Sequence, residues 1–207
     1  MIQRERAEAL LLDLDGVLRR FDPDVPTAVE RRHGLPTGSL MTSAFAWHRI
    51  RPALVGAETH AAWLESIVAD LAPVADGPRN AWSAVKEWQA DRGVVVPEVL
   101  ALVREVRAAR MPVGLATNAT NELDADLDKL GLTDEFDVVV NSSVIGVHKP
   151  SREFFAIACA AVRTPPTRCF LIDDDDRHVR GARVAGLSAY RWNGAIDLPY
   201  LRLALGV

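Results

Sequence analysis

Four short apolar runs punctuate the chain: ALLLDLD (9–15), PVGLATN (112–118), FDVVVNS (136–142) and RCFLIDD (168–174). Each is apolar at consecutive positions, where a half-exposed strand would alternate. A strand of that kind needs cover on both faces, which a parallel sheet between two layers of helices provides. A fifth run, LSAYRW (187–192), is weaker but fits the series. Between the runs lie segments of helical period: PEVLALVREVRAAR (97–110), ELDADLDKLG (122–131), SREFFAIACAAV (151–162) and DRHVRGARVAG (176–186). Gly131 and Gly186 fall where helix C-caps belong. Strand alternating with helix predicts an α/β fold, a doubly wound parallel sheet with right-handed crossovers.

One interval breaks that rhythm. Between the first run and residue 97 the chain reads as helices near 25–34, 39–54, 57–72 and 78–91, broken at HGLPTG, LVGAE and APVADGP. The short GVVVP (93–97) suits either a strand or a linker. The expected organisation is an α/β core of residues 1–17 and 96–207, with residues 18–95 inserted as a helical cap. A chain of 207 residues has room for one domain with such an insertion.

Composition narrows the partners. Apolar residues make up 49% and charged residues 25%, ordinary for a globular protein. The net charge of −4 gives no general attraction to nucleic acid or to an anionic membrane. No apolar run approaches the ~18 residues needed to cross a bilayer. The start, MIQRERAEALLLDLDG, reads as a mature cytoplasmic N-terminus, because acids interrupt it and no small-residue cleavage site follows. Cys159 and Cys169 lack metal spacing and read as buried free thiols. Lysine occurs only at 86, 129 and 149, so the surroundings of each carry information. Oligomeric state leaves no mark in the sequence.

In an open parallel sheet the functional crevice lies beyond the carboxyl ends of the strands. There the runs deliver Asp13 and Asp15, then Thr117 and Asn118, then Lys149, and finally DDDD (173–176). Wet strand ends explain any one of these, but not four segments supplying chemically complementary groups. Two acid clusters brought together repel unless a cation lies between them. Carboxylates with no histidine or cysteine nearby suit a hard ion such as Mg2+. An EF-hand does not fit, since Gly16 follows Asp13 too soon and the closing acid is absent. A lysine would hold a carboxylate and an anionic substrate, and a threonine hydroxyl with nearby N–H groups would hold phosphate oxygens. One acid is then available as a nucleophile.

With these residues in order, the chain resembles the haloacid dehalogenase-like hydrolase superfamily. Its first motif, Asp-x-Asp-Gly-(Val/Thr), is matched by Asp13-Leu14-Asp15-Gly16-Val17. The second, Ser or Thr ending an apolar strand, is matched by Thr117 with Asn118. Lys149-Pro150 followed by EFF matches the third, and Asp173-Asp174 the fourth. The resemblance spans about 10–20 and 97–192. It departs at Ser151, where the family usually has an acid, although Ser is itself a good N-cap.

The resemblance implies a Mg2+-dependent phosphomonoester hydrolase acting on a small soluble phosphorylated metabolite through an aspartyl-phosphate. Asp13 would be the nucleophile and a metal ligand. Asp15 would be the general acid/base and lend the metal its backbone carbonyl. Thr117 and Asn118 would bind the phosphoryl group, and Lys149 would steady both it and the nucleophile. Asp174 would ligate the metal, with Asp173 second and Asp176 on the solvent side. Asp15 argues against carbon–halogen cleavage, since the dehalogenase branch has no acid at that position. A phosphomutase uses the same two aspartates and stays open, as does an idle binding or regulatory module. A response-regulator receiver has its phosphorylated aspartate after the third strand, so its order is wrong.

The cap should set specificity. It holds Trp47, Trp63, Trp82 and Trp88, four of the five tryptophans, and their helical spacing favours packing in its core over stacking on a substrate. His48, Arg49 and Arg51 read as a solvated helix face. Arg19 and Arg20 lie where the family has a mobile flap, where surface exposure and substrate contact both remain open. His148 reads as a neighbour of Lys149, and His178 as a first-turn helix residue without catalytic duty.

Overall fold

The computed structural model describes residues 6–207, so the first five residues of the N-terminal segment lie outside the described residues. Five strands form one parallel sheet: β1 (Ala9–Leu12), β4 (Val113–Thr117), β5 (Val138–Asn141), β6 (Cys169–Asp173) and β7 (Ser188–Arg191). Their order is β5-β4-β1-β6-β7, which puts β1 at the centre. Leu10 is in register with Val113 on one side and Phe170 on the other.

The continuous apolar runs have a direct cause. All four β1 residues are fully buried, and they serve two cores in alternation. Leu10 and Leu12 belong to the face covered by α6 (Pro97–Ala108), α7 (Leu123–Lys129) and α11 (Leu198–Leu205). Ala9 and Leu11 belong to the face covered by α9 (Arg152–Ala161) and α10 (Asp176–Val184). A single turn, α8 (Ser142–Ile145), follows β5. Ser151 caps α9 by accepting from Glu153 N at 3.2 Å. Cys159 and Cys169 are buried free thiols, as expected. No helix among the described residues is long and apolar enough to cross a membrane.

The long interval folds into α1 (Asp24–His33), α2 (Ser39–Ala44), α3 (Trp47–Leu54), α4 (His60–Leu71) and α5 (Pro78–Ala90). They close around their own apolar core, which includes Val29, Leu40, Ile50, Trp63, Ile67 and Val85. The expected helix over 39–54 is two helices. Its break is held by side chains from a distance: Trp63 Nε1 donates to Ala44 O at 2.9 Å, and Arg49 Nε to Ser43 O at 2.9 Å. These carbonyls therefore do not need the next helical turn. Arg49 is thus structural, correcting its place on a solvated face; it also pairs with Asp70 at 2.9 Å.

Two connections join sheet and insertion, and they run side by side. β2 (Arg19–Arg20) and β3 (Val94–Val95) pair antiparallel as a short ribbon, so GVVVP contains a strand. Gly93 has φ +71°, and a Cβ there would stand 2.9 Å from both Arg19 Cγ and Arg20 O. Only glycine lets the ribbon close.

Candidate active site

The sheet's central strand ends at an edge crowded with charge. Asp13 N donates to Ile172 O at 3.0 Å, which carries the β1–β6 pairing one residue further. The chain then turns: Leu14 O accepts from Leu18 N at 2.9 Å and from Arg19 N at 2.7 Å. Gly16 has φ +81°, and a Cβ on it would lie 2.0 Å from Asp174 Oδ2. The glycine thus permits both the turn and the approach of Asp174 from the end of β6.

Lys149 is completely buried there. Its Nζ lies 2.8 Å from Asp13 Oδ1 and 2.6 Å from Asp173 Oδ2. Asp13 Oδ1 also accepts from Leu14 N at 2.8 Å. Asp173 Oδ1 accepts from Asp175 N at 2.9 Å and lies 3.1 Å from His178 Nδ1. Burial opposes the charge on every member of this cluster. For Lys149 the two carboxylates outweigh burial and hold its pKa above the ordinary value. For Asp173, Lys149 and His178 outweigh burial and hold the carboxyl low. For Asp13 burial prevails despite Lys149, and with the charge of Asp173 it pushes the carboxyl up to about 7. Burial and Asp173 also raise Asp174.

Asn118 clasps the lysine loop. Its Oδ1 accepts from Lys149 N at 2.8 Å and its Nδ2 donates to Lys149 O at 3.1 Å. Both ends of the amide are therefore committed to protein. Thr117 is buried at the end of β4, in register with Asn141. His148 Nδ1 lies 2.7 Å from Lys149 O, which bears out its reading as a neighbour of that lysine.

Asp15 stands half-buried on the same edge. Arg19 grips it with two bonds, Nε to Oδ1 at 2.6 Å and Nη2 to Oδ2 at 3.1 Å. The third nitrogen of Arg19 reaches Asp126 Oδ2 at 2.8 Å, and its guanidinium lies over the Phe21 ring at 4.8 Å. Of the two alternatives left open for this pair, Arg19 does not take surface exposure, since it is buried; Arg20 beside it is exposed.

A family model described as haloacid dehalogenase-like hydrolase matches residues 7–186. The chain belongs to that family. This hydrolase is 29% identical to Phosphatase MT3486 of Mycobacterium tuberculosis, over 88% of this chain and 85% of that one. It is 27% identical to the fructose-1-phosphate phosphatase YqaB of Escherichia coli, over 89% and 96% of the two chains. Among solved structures, it shares its fold with the HAD family enzyme bt-2542 of Bacteroides thetaiotaomicron at a TM-score of 0.75, with 19% identity over 95% and 98% of the chains. That enzyme is also known in complex with magnesium and inorganic phosphate.

The donor chemistry of the hydrolase's edge fits Mg2+. Carboxylate oxygens of Asp13 and Asp173 and a ring nitrogen of His178 lie within 4.8 Å of one another. Both Asp173 oxygens are already engaged, and a nitrogen is a poor match for Mg2+. Asp174 lies outside that cluster, but among the described residues its carboxylate makes no ion pair. Asp13 and Asp174 are carboxylates, the donor type that a hard divalent cation takes.

Between this edge and the helical insertion lies a cavity of ≈ 1100 Å³. Asp15, Asn118, Lys149 and His178 line one side of it, and Phe45, Trp47 and Trp88 are among the residues on the other. Of the tryptophans assigned to packing, Trp63 is buried, Trp82 and Trp88 are half-buried, and Trp47 is exposed, a correction. Trp47 sits at the start of α3, just past the break, so its ring escapes the helical core. Sequence reading also missed the Asp15–Arg19–Asp126 chain and the His178–Asp173 contact. The spacing of Asp15 and Arg19 was a usable signal, and His178 lies only five residues from Asp173; Asp126 reaches Arg19 only where separate segments meet.

Proposed function

We propose that this hydrolase removes the phosphoryl group from a small soluble phosphomonoester, using Mg2+ and a phosphoryl group carried transiently on Asp13. The observation that carries the reading is the buried Asp13–Lys149–Asp173 cluster with a second acid, Asp15, beside it. In this reading residues 18–95 form a cap over a core of residues 1–17 and 96–207.

Asp13 attacks phosphorus, the P–O bond to the alcohol breaks, and Asp15 gives its proton to the leaving oxygen. Asp15 then takes a proton from water, whose oxygen attacks phosphorus and releases inorganic phosphate from Asp13. Lys149 neutralises charge on Asp13 and on the phosphoryl oxygens. The Thr117 hydroxyl and N–H groups near Asn118 hold those oxygens, while the Asn118 side chain fixes the lysine loop. Asp13, Asp174 and the Asp15 carbonyl would hold Mg2+, with Asp173 beside them. When bound, the ion supplies positive charge that keeps Asp13 ionised and offsets charge on the phosphoryl group. Asp15 also favours this reading over carbon–halogen cleavage, which yields halide and needs no proton donor.

The test is phosphate release from a panel of phosphorylated metabolites with Mg2+. EDTA should abolish it and added Mg2+ restore it. Full activity in chelator would remove the metal from the reading, and silence across the panel would remove the phosphatase.

A further inference from the structure

We propose that the alcohol this hydrolase releases carries a flat, uncharged, unsaturated ring, bound against Trp47, Phe45 and Trp88. This rests on the phosphatase reading and adds to it the class of leaving group. The cavity, at ≈ 1100 Å³, lies just above the ~300–1,000 Å³ usual for small-molecule sites. A two- or three-carbon phosphate would leave most of it to water.

The walls argue for what fills it. Phe21, Met41, Phe45 and Trp47 all line the cavity with 41%, 38%, 54% and 55% of their surface open. Large apolar side chains gathered on one exposed concave face mark a binding surface. They are also held in place. Phe45 stands edge-on to Trp63 at 6.3 Å and to Trp88 at 6.4 Å, and those two indoles stand edge-on to each other at 6.0 Å. Phe45 and Trp47 flank the break between α2 and α3, which Trp63 and Arg49 fix by taking its carbonyls. Trp47 stands edge-on to His148 at 5.2 Å, so the aromatic wall begins one residue from the buried Lys149.

The polar groups exclude the main competitors. Every Lys or Arg lining the cavity already has a carboxylate partner: Lys149 with Asp13 and Asp173, Arg19 with Asp15 and Asp126, Arg92 with Asp126, and Arg177 with Asp175. No Lys or Arg lining the cavity is left without a carboxylate partner, free to hold a second phosphate or a carboxylate. A polyhydroxy chain laid on the rings themselves would lose hydrogen bonds to water there. An uncharged planar ring loses nothing there and gains stacking and apolar burial.

Three esters with the same primary alkyl leaving oxygen isolate the ring: ethyl, 2-phenylethyl and 2-(2-naphthyl)ethyl phosphate. With Mg2+, kcat/KM should rise about 10-fold or more from the first to the second and further to the third. Trp47→Ala should remove most of that gain and Trp47→Phe keep most of it. Trp82→Ala, beside Arg79 and Lys86 on another surface, should preserve it. Equal kcat/KM across the series, or a preference for glucose 6-phosphate, would overturn the ring assignment while leaving the phosphatase intact. Failure of every ester would instead overturn the phosphatase. Asp13→Asn then reads the ring subsite alone: 2-phenylethyl phosphate should quench tryptophan fluorescence at least about 10-fold more tightly than ethyl phosphate. Equally weak binding of the two would also sink the proposal.

Discussion

The charged carboxyl edge of the sheet and the helical insertion treat buried charge in opposite ways. At the edge, Asp13 and Asp173 share one ammonium, and burial pushes Asp13 up to about 7. In the insertion the buried carboxylate of Glu30 and the half-buried His33 are matched, although the Ser39 and Ser43 hydroxyls are buried without a partner. Glu30 accepts from Gly38 N at 2.7 Å and Leu40 N at 2.8 Å, fastening the start of α2. His33 bridges Asn80 and Glu87, at 2.8 Å to each, and ties α1 to α5. Apolar groups show the reverse: the central strand buries all of them, whereas the insertion leaves Phe45 and Trp47 open to the cavity. The edge is short of positive charge and the insertion is short of apolar cover, and Asp15 and Lys149 of the one line the same cavity as Phe45 and Trp47 of the other.

The largest expected effect tests the edge directly. Asp13→Asn should cut phosphate release by about 10⁴-fold or more. It should also leave the melting temperature unchanged or higher, because it removes a charge that burial, and then Asp173, oppose. A clear loss of thermal stability in this variant would break the contrast between the regions.

Next comes the second aspartate. Asp15→Asn keeps the size and the carbonyl but removes the proton donor and the base, a step worth about 10²–10⁴-fold in turnover. An aryl phosphate, whose leaving group needs little protonation, should give a burst of phenol followed by slow turnover, with phosphate trapped on Asp13. Rapid-quench measurement showing equal loss of burst and steady state would deny Asp15 this role.

In the insertion the same kind of change should act on stability first. Glu30→Gln replaces one of the two accepting oxygens with an NH2 donor, leaves one of the two backbone N–H groups without its partner, and should cost about 1–3 kcal/mol. Denaturant unfolding should register that loss, while ethyl phosphate turnover under folding conditions falls far less than with Asp15→Asn.

The smallest effect concerns pH. Hydrogen bonds to Asn80 and then Glu87 raise His33 above its ordinary 6.5. A raised histidine stabilises the fold fully below its unfolded value, and that contribution is lost as pH rises through the folded one. The melting temperature should therefore decline slightly more between about pH 6 and 8 in the wild type than in His33→Gln. Parallel curves would remove His33 from the account.

Much of this was legible in the chain. All five strands of the main sheet lie within the apolar runs, and Asp13, Asp15, Thr117, Asn118, Lys149, Asp173 and Asp174 follow from reading what comes after them. The helix at Leu198–Leu205 was also legible, since Leu198, Leu201 and Leu205 recur at helical spacing, yet it was not read. The break between α2 and α3 was not legible. Trp63 and Arg49 cause it, and neither signals which carbonyl its side chain will reach.

The sequence by itself determined the strands of the sheet and the group of residues at its carboxyl edge; the structure put β1 at the centre. A strand buried on both faces has one composition, and a parallel sheet has one edge where such residues can meet. Only the tertiary structure decided which polar groups are already spent. Asn118 is committed to the Lys149 backbone, Arg19 to Asp15 and Asp126, and Arg49 to the carbonyls of its own helical unit. It likewise decided that Trp63 fills a core while Trp47 faces the cavity. Helical spacing fixes where a residue sits around its own helix. Which side of that helix is covered depends on the neighbours packed against it, and those come from elsewhere in the chain.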